Sequence, residues 1–277
     1  MRKKTAHVMA AIDYIENHLM DRIDLDALAA AVGCSKFHLH RTFTETVGVT
    51  VHGYAKRRQL TEAAKLLVFS DQPIIDIALL AGYESQQAFS AVFRDMYKRP
   101  PHRYREAGRF YPLRLRHVLL EEPPVPAAGE ALLRDIVSAT PGDIPQWMAL
   151  VNLVIDGFPC LEEGEHVGTL KRYIAGKRAL ILKRDGIAVG AMMFTPESGS
   201  IDFFGIHPQY RNLGIAKAFL DKFMEEFLTG TEISITTYRE GDKADPGYRE
   251  TYRKLGFSEA EPLFEFGYPT QRFVMGR

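Results

Sequence analysis

The sequence predicts a two-part chain: an all-α region followed by an α+β region. Three observations carry this. The pattern Ala29-x-x-x-Gly33-x-Ser35 returns as Ala78-x-x-x-Gly82-x-x-Ser85, so one helical unit is used twice, about fifty residues apart. Residues 109–130 hold Pro112, Pro123, Pro124 and Pro126, the composition of a join. Beyond the join, helical spacing of apolar residues gives way to runs such as ALILKR and IAVGAMMF around an Asp185-Gly186 turn, which is strand and hairpin grammar. A chain of 277 residues is long enough for two domains.

Composition excludes several classes. No apolar run reaches the ~18 residues of a membrane span. The opening MRKKTAHVMAAIDYIENHL is broken by Asp13 and Glu16, so no secretory signal is read. Two lone cysteines, Cys34 and Cys160, make neither a disulfide framework nor a zinc site, and the expectation is a cytoplasmic protein without a metal. Net charge is zero. Residues 1–107 carry fifteen Lys or Arg against twelve Asp or Glu. Nucleic-acid binding must therefore be argued from placement rather than bulk charge.

In the first hundred residues, Val8, Ile12, Ile15 and Leu19 share a helical face, and Leu25, Leu28, Ala29 and Val32 mark a second helix. Gly33 ends it, because the left-handed residue after a helix is cheapest as glycine. Ser35 stands where an N-cap belongs, with Phe37, Leu39 and Phe43 as the buried face of a third helix. Lys36, His38, His40 and Arg41 are left outside. Gly48 closes this helix, and a long one follows from about Val51 to Phe69 with Lys56, Arg57 and Arg58 crowding one end. From Pro73 the unit restarts, with Ile74, Ile77, Ala78, Leu80 and Ala81 inward, Gly82 in the turn and Ser85 as cap. Gln86 and Gln87 lead its second helix, Phe89 and Phe93 face inward, and Pro100-Pro101 stops it. Small alanine at the close contact, glycine in the turn and polar groups leading the second helix make helix-turn-helix grammar. A plain helical bundle would not repeat it at matching offset.

The segment SKFHLHRTF…YAKRRQLTEAAKLL…PIIDIALLAGYESQQAFSAVF…RPPHRYR resembles the DNA-binding module of the AraC/XylS transcription regulators, in wording the short multiple-antibiotic-resistance type, over roughly residues 7–106. The resemblance implies an all-α double helix-turn-helix domain, residues 1–107, whose two recognition helices enter successive major-groove segments of double-stranded DNA about 34 Å apart. It implies base contacts from Phe37, His40 and Arg41 and from Gln86 and Gln87. Arginine pairs in two bonds with guanine and glutamine with adenine. Phe37 either touches thymine methyls or belongs to the core. Lys36, Arg57, Arg58, Arg94 and Lys98 are the implied phosphate contacts, and RNA polymerase the implied protein partner, on the nucleoid. Ala91 stands where relatives often have arginine, which puts one contact of the second helix in doubt.

After a linker over 108–130, in which Leu113 to Leu120 suggests a short strand, LLRDIVSAT reads as a strand. Pro141-Gly142-Asp143 starts a helix through Trp147 and Leu150, and another runs near Glu162–Ala175. A hairpin follows, then strand SIDFFGI and the loop His207-Pro208-Gln209-Tyr210-Arg211-Asn212-Leu213-Gly214-Ile215-Ala216, which opens the helix IAKAFLDKFMEEFL. Strand, Arg-x-x-Gly-x-Ala loop and helix N-terminus together form an anion cradle. With SATPGDIPQW and Tyr252-Arg253-Lys254-Leu255-Gly256-Phe257, the chain resembles the GNAT acyltransferases over roughly Leu132–Met275, which implies a domain over residues 131–277.

This second resemblance implies an α+β fold with a mixed, splayed β-sheet and acetyl-CoA or another acyl-CoA as co-substrate. Its pantetheine arm would lie on the strand ending at Ile206, and its pyrophosphate on Arg211, Asn212, Leu213, Gly214, Ile215 and Ala216. Tyr252 would protonate the departing thiolate. Asp202 is the candidate base and Glu265 a second, each also readable as a solvated strand carboxylate, and His207 reads as a loop residue. Three readings stand: a regulator with an N-acetyltransferase acting on an amine, a regulator whose second domain senses acyl-CoA or a small effector without catalysis, or an acetyltransferase that uses DNA to reach its target.

Overall fold

The computed structural model describes the chain except residues 1, 22, 122, 124–128, 155–162, 266–267 and 277. It divides into a first unit, Met1–Glu122, and a second built from Pro123–Val154 and Leu161–Arg277.

Helix α1 (Arg2–Asn17) packs on a first pair, α2 (Leu25–Ala31) and α3 (Lys36–Val47). The long α4 (Val51–Phe69) leads to a second pair, α5 (Ile74–Leu80) and α6 (Gln86–Tyr97), followed by α7 (Pro101–Ala107). The two pairs share one turn chemistry. Gly33 (φ +71°) and Gly82 (φ +79°) take the left-handed conformation. The following N–H, of Cys34 or Tyr83, reaches back to the carbonyl of Ala29 or Ala78 at 3.0 Å. Ser35 Oγ then accepts from the His38 N–H and Ser85 Oγ from that of Ala88, satisfying one orphan donor of each second helix. Pro100 and Pro101 do more than stop α6: Pro101 opens α7 at its first position, where the missing N–H costs nothing.

The residues beyond Ala107 do not leave the helical unit at once. Tyr111, Leu113, Arg114, His117 and Leu119 are buried in it, so the packed unit extends past 107 and the linker expected from Gly108 is in its first half a strap. No strand forms there. The backbone N–H groups of Leu113 and Arg114 donate to Thr61 Oγ1 and that of His117 to Tyr54 Oη, so helix side chains take donors a strand partner would need.

The second unit carries one seven-stranded sheet in the order β1-β2-β3-β4-β5-β7-β6. Its strands are β1 (Ile136–Ser138), β2 (Ala179–Arg184), β3 (Ile187–Thr195), β4 (Ser200–Ile206), β5 (Glu232–Tyr238), β6 (Ser258–Glu265) and β7 (Tyr268–Gly276). Pairing is antiparallel except between β4 and β5. That parallel pair requires a crossover, which α11 (Ile215–Glu226) provides. One face is covered by α8 (Glu130–Asp135), α11 and α12 (Tyr248–Lys254), with Leu132, Phe194, Ile215, Phe219, Phe223 and Phe273 at its centre. The other is covered by α9 (Ile144–Val154) and α10 (Glu163–Ala175) over Trp147, Leu170, Ile181 and Ala191. The strand read over LLRDIVSAT is half helix. Gly129 (φ +59°) lets its carbonyl accept from Leu132 N, and one turn of α8 then seats Leu132 and Ile136, four apart, in the same core. No helix among the described residues is long and apolar enough to cross a membrane, and no described group of three or more His, Cys, Asp or Glu is placed to hold a metal.

Candidate functional sites

The leading edges of α3 and α6 form the first candidate site. Lys36, Phe37, His40 and Arg41 are exposed on α3, as are Gln86, Gln87 and Arg94 on α6. Lys36 Nζ lies 3.1 Å from Asp26, and Arg41 Nε 4.0 Å from Glu45. Such exposed pairs contribute little and exchange readily with a competing anion. Phe37 is not part of the buried face: it is 80% exposed, while Leu39 and Phe43 are fully buried. Two residues along a helix rotate a side chain by about 200°, so position 37 falls opposite position 39. The exposed ring lies beside the Lys36 ammonium, whose Nζ is 5.9 Å from its centroid.

Two of the implied phosphate contacts are corrected. Arg57 and Arg58 are each only 6% exposed. Arg58 lies four residues after the buried Tyr54, on the inner stripe of α4. Its guanidinium donates to Glu16 Oε1 at 2.8 Å and Oε2 at 2.9 Å and to the Arg114 carbonyl at 3.2 Å, and pairs with Glu62 at 2.9 Å. Tyr54 Oη donates to the same Glu16 carboxylate at 2.7 Å. Arg57 NH1 donates to the Gly53 carbonyl. Neither arginine presents its charge outward. Lys98 is half-buried and left-handed at the end of α6, with Nζ on the Asp95 carbonyl.

The second candidate site begins where β4 and β5 part. Their parallel pairing covers only Ser200 with Ser234 and Ile201 with Ile235. Directly after it, Phe194 of β3 pairs with Ile201 and Met193 with Phe203, so Asp202 is an extra residue bulged out of the ladder. A bulge bends its strand and raises the local twist. The bend falls where pairing with β5 stops, leaving residues 202–206 and 236–238 as facing, separated edges that an extended ligand can join by main-chain bonds.

At the end of β4, the backbone N–H of His207 donates to Val189 O, and its Nδ1 accepts from Gln209 N at 3.3 Å. Burial, and then the charge of Arg211, pushes its pKa down to about 4, so it is a neutral turn residue. Arg211 is half-buried, and Asn212, Leu213 and Gly214 are exposed. Gly214 (φ +74°) opens α11 with no side chain capping the helix, and a Cβ there would meet nothing within 4 Å. Orphan N–H groups, the positive helix end and open space suit a pyrophosphate. Ile215 is buried in the core, so only its backbone is available. Ala216 is half-buried behind it, and so is Ile206, across from Gly190.

Tyr252 lies half-buried on α12, its ring 5.9 Å from that of Phe257 and 6.2 Å from that of Phe273. Asp202 belongs to the other face. It accepts from Tyr173 Oη at 3.0 Å on α10, from Thr195 Oγ1 at 2.8 Å and from Ser200 Oγ at 2.7 Å. The fold therefore does not bring Asp202 and Tyr252 together, and a carboxylate with three O–H donors is a fixed acceptor rather than an open base. Glu265 is likewise engaged, by Thr270 Oγ1 at 2.8 Å. Sequence reasoning missed the bulge at Asp202, which leaves no mark in residue type. It also missed the buried bond from Trp147 Nε1 to His166 Nε2 at 3.3 Å beside Phe203. Burial pushes the His166 pKa down to about 4.

Comparisons with known proteins fall on the same two units. Residues 28–107 match a helix-turn-helix domain family, and residues 165–269 an acetyltransferase (GNAT) domain family. The chain is 43% identical over 98 residues to the uncharacterized HTH-type transcriptional regulator YbfP of Bacillus subtilis, covering 35% of this chain and 33% of that one. It is 35% identical to the multiple antibiotic resistance protein MarA of Escherichia coli over 35% of this chain and 77% of MarA. It is 37% identical to the probable transcription factor PqrA of Proteus vulgaris, of which it covers 81%. The chain thus spans about a third of the length of YbfP but most of MarA and PqrA. Among solved structures, it is similar to an AraC-type regulator from Chromobacterium violaceum (25% identity, TM-score 0.36, 38% of this chain and 93% of that one). It is also similar to a GNAT-family acetyltransferase from Bacillus cereus (14% identity, TM-score 0.40, 51% of this chain and 96% of that one).

Proposed function

Because the chain belongs to the AraC-type helix-turn-helix regulators and carries a GNAT acetyltransferase domain behind that module, we propose that it reads a specific DNA sequence and transfers an acetyl group from acetyl-CoA to an amine. In this reading Arg41, His40 and Phe37 on α3 and Gln86 and Gln87 on α6 face the base edges, while Lys36, Arg94 and Lys98 hold phosphates. The observation that carries the enzymatic half is the parallel pair β4–β5, which parts at Asp202, with β4 running on from there toward the loop and uncapped N-terminus of α11.

The residues divide the work. The Arg211–Ala216 loop neutralises the pyrophosphate, and the free edge of β4 up to Ile206 aligns the pantetheine amides. The amine attacks the thioester carbonyl and expels the thiolate. Tyr252 Oη gives that sulfur its proton, and the proton of the new amide nitrogen leaves to water. Holding a neutral amine in line with the carbonyl supplies much of the rate without a dedicated base. That matters here because Asp202 and Glu265 both already accept hydroxyl bonds. The same engagement favours a second reading, in which the domain binds acyl-CoA and biases DNA affinity without turnover.

The test is acetyl-CoA turnover against a panel of amines. Tyr252→Phe is expected to lower turnover by about 10²-fold or more with acetyl-CoA affinity unchanged. Gly214→Glu is expected to abolish binding, by placing a carboxylate in the cradle. Tight acetyl-CoA binding with no turnover of any amine would establish the sensor instead.

A further inference from the structure

Thr237 sits on β5 two residues past Ile235, the last position bonded to β4, so it lies about 7 Å into the opening. It is 2% exposed, and its Oγ1 has no hydrogen-bond partner among the described residues. A buried hydroxyl with neither donor nor acceptor satisfied is uncommon. Alternation along β5 puts Thr237 on the face of Ile233 and Ile235, the one covered by α11 and α12.

Helix α12 is fixed to the same place. Arg249 NH1 donates to the Tyr238 carbonyl, one residue from Thr237, at 3.0 Å, and its guanidinium lies over Phe273. Tyr252 is three residues on, hence on the same helix face, and its ring also packs on Phe273, which pairs with Ile235. Thr237 Oγ1 and the Tyr252 phenol are thus brought to one face of the same two strands, on the side of the split where the loop before α11 begins.

We propose that Thr237 is an acyl-group contact: its hydroxyl donates to the thioester carbonyl oxygen of bound acyl-CoA, beside the sulfur that Tyr252 serves. This rests on the acyl-CoA reading of the site. A free CoA thiol has no such carbonyl, so Thr237 should distinguish acetyl-CoA from CoA. A residue that only packed β5 against α12 would not.

The experiment measures acetyl-CoA and CoA binding by calorimetry on the full chain, wild type against Thr237→Val and Thr237→Ser, with a thermal melt of each. Valine keeps the shape and removes the orphan hydroxyl. It is expected to leave the melting temperature equal or higher, to weaken acetyl-CoA about tenfold and to leave CoA unchanged. Serine is expected to restore acetyl-CoA affinity. Unchanged acetyl-CoA affinity in Thr237→Val, or equal losses for both ligands, would overturn the assignment while leaving the acyl-CoA site intact. Absence of acetyl-CoA binding by the wild type would overturn both together.

Discussion

At the scale of single residues, Arg58 and Arg94 separate two uses of the same side chain. Arg58 gives two bonds to Glu16; burial disfavours its charged form, but the bonds and charge of Glu16, with those of Glu62, outweigh it and hold the guanidinium charged. Removing one member of a buried pair leaves the other uncompensated, which costs about 3–5 kcal/mol. Arg58→Met is therefore expected to lower the stability of the helical unit by that order in denaturant melts. Below the melt, the salt dependence of DNA binding should keep its slope. Arg94→Ala, at an exposed position, should do the reverse, with stability within about 0.5 kcal/mol of wild type and the salt slope reduced by about one phosphate. A reduced slope in Arg58→Met would return that residue to the DNA face. Phe37 follows the Arg94 pattern: it is 80% exposed, so Phe37→Ala should leave the melt alone and weaken DNA binding.

At the scale of elements, the strap after α7 is the piece whose role differs most from its composition. Leu113 and Arg114 are 1% and 2% exposed, and Arg114 NH1 bonds to His117 Nε2 at 2.8 Å beneath Tyr54. Leu113→Ala should cost about 2–5 kcal/mol, as for other buried leucines. A fragment ending at 107 should melt well below one ending at 121, and equal melting of the two would show the strap to be dispensable. The helix pairs were legible because period, glycine turn and serine cap agree at every level. The strap was not, because proline and arginine look alike in a linker and in a docked segment until their partners on another helix are known. The same limit applies to Asp202 and Thr237. Strand alternation gives the face of each, but neither the bulge at the first nor the missing partner at the second is written in residue type. His40, Gln86 and Gln87 are readable as outward from helix period alone, whereas charge is a poor guide to exposure at Arg57 and Arg58, whose guanidinium groups find their partners inside the helical unit.

At the scale of the whole molecule, acid should act through the second unit. His166 and His207 each use a bare ring nitrogen as acceptor, from Trp147 Nε1 and from Gln209 N, so protonating either ring removes the bond it makes. Burial brings both pKa values down from 6.5 to about 4. Between those pH values the unfolded chain binds protons that the folded unit refuses, so stability rises with pH across this window and is lost as pH falls from about 6.5 toward 4. Two to three pKa units correspond to roughly 3 kcal/mol for each histidine. Asp143 adds to the same slope lower down: burial raises its pKa, but the bonds from Lys183 and Thr140 outweigh it and hold the carboxyl below its ordinary value. Urea melts at pH 7.5, 6 and 4.5 should show the transition of the second unit moving to lower urea as its unfolding free energy falls by several kcal/mol. His207→Asn retains an acceptor for the Gln209 N–H without a titrating group, and should remove about half of the histidine contribution between pH 6.5 and 4. An unchanged slope in that variant would mean that His207 is protonated in the fold, and that the turn leading into the Arg211–Ala216 loop is held by something other than its ring.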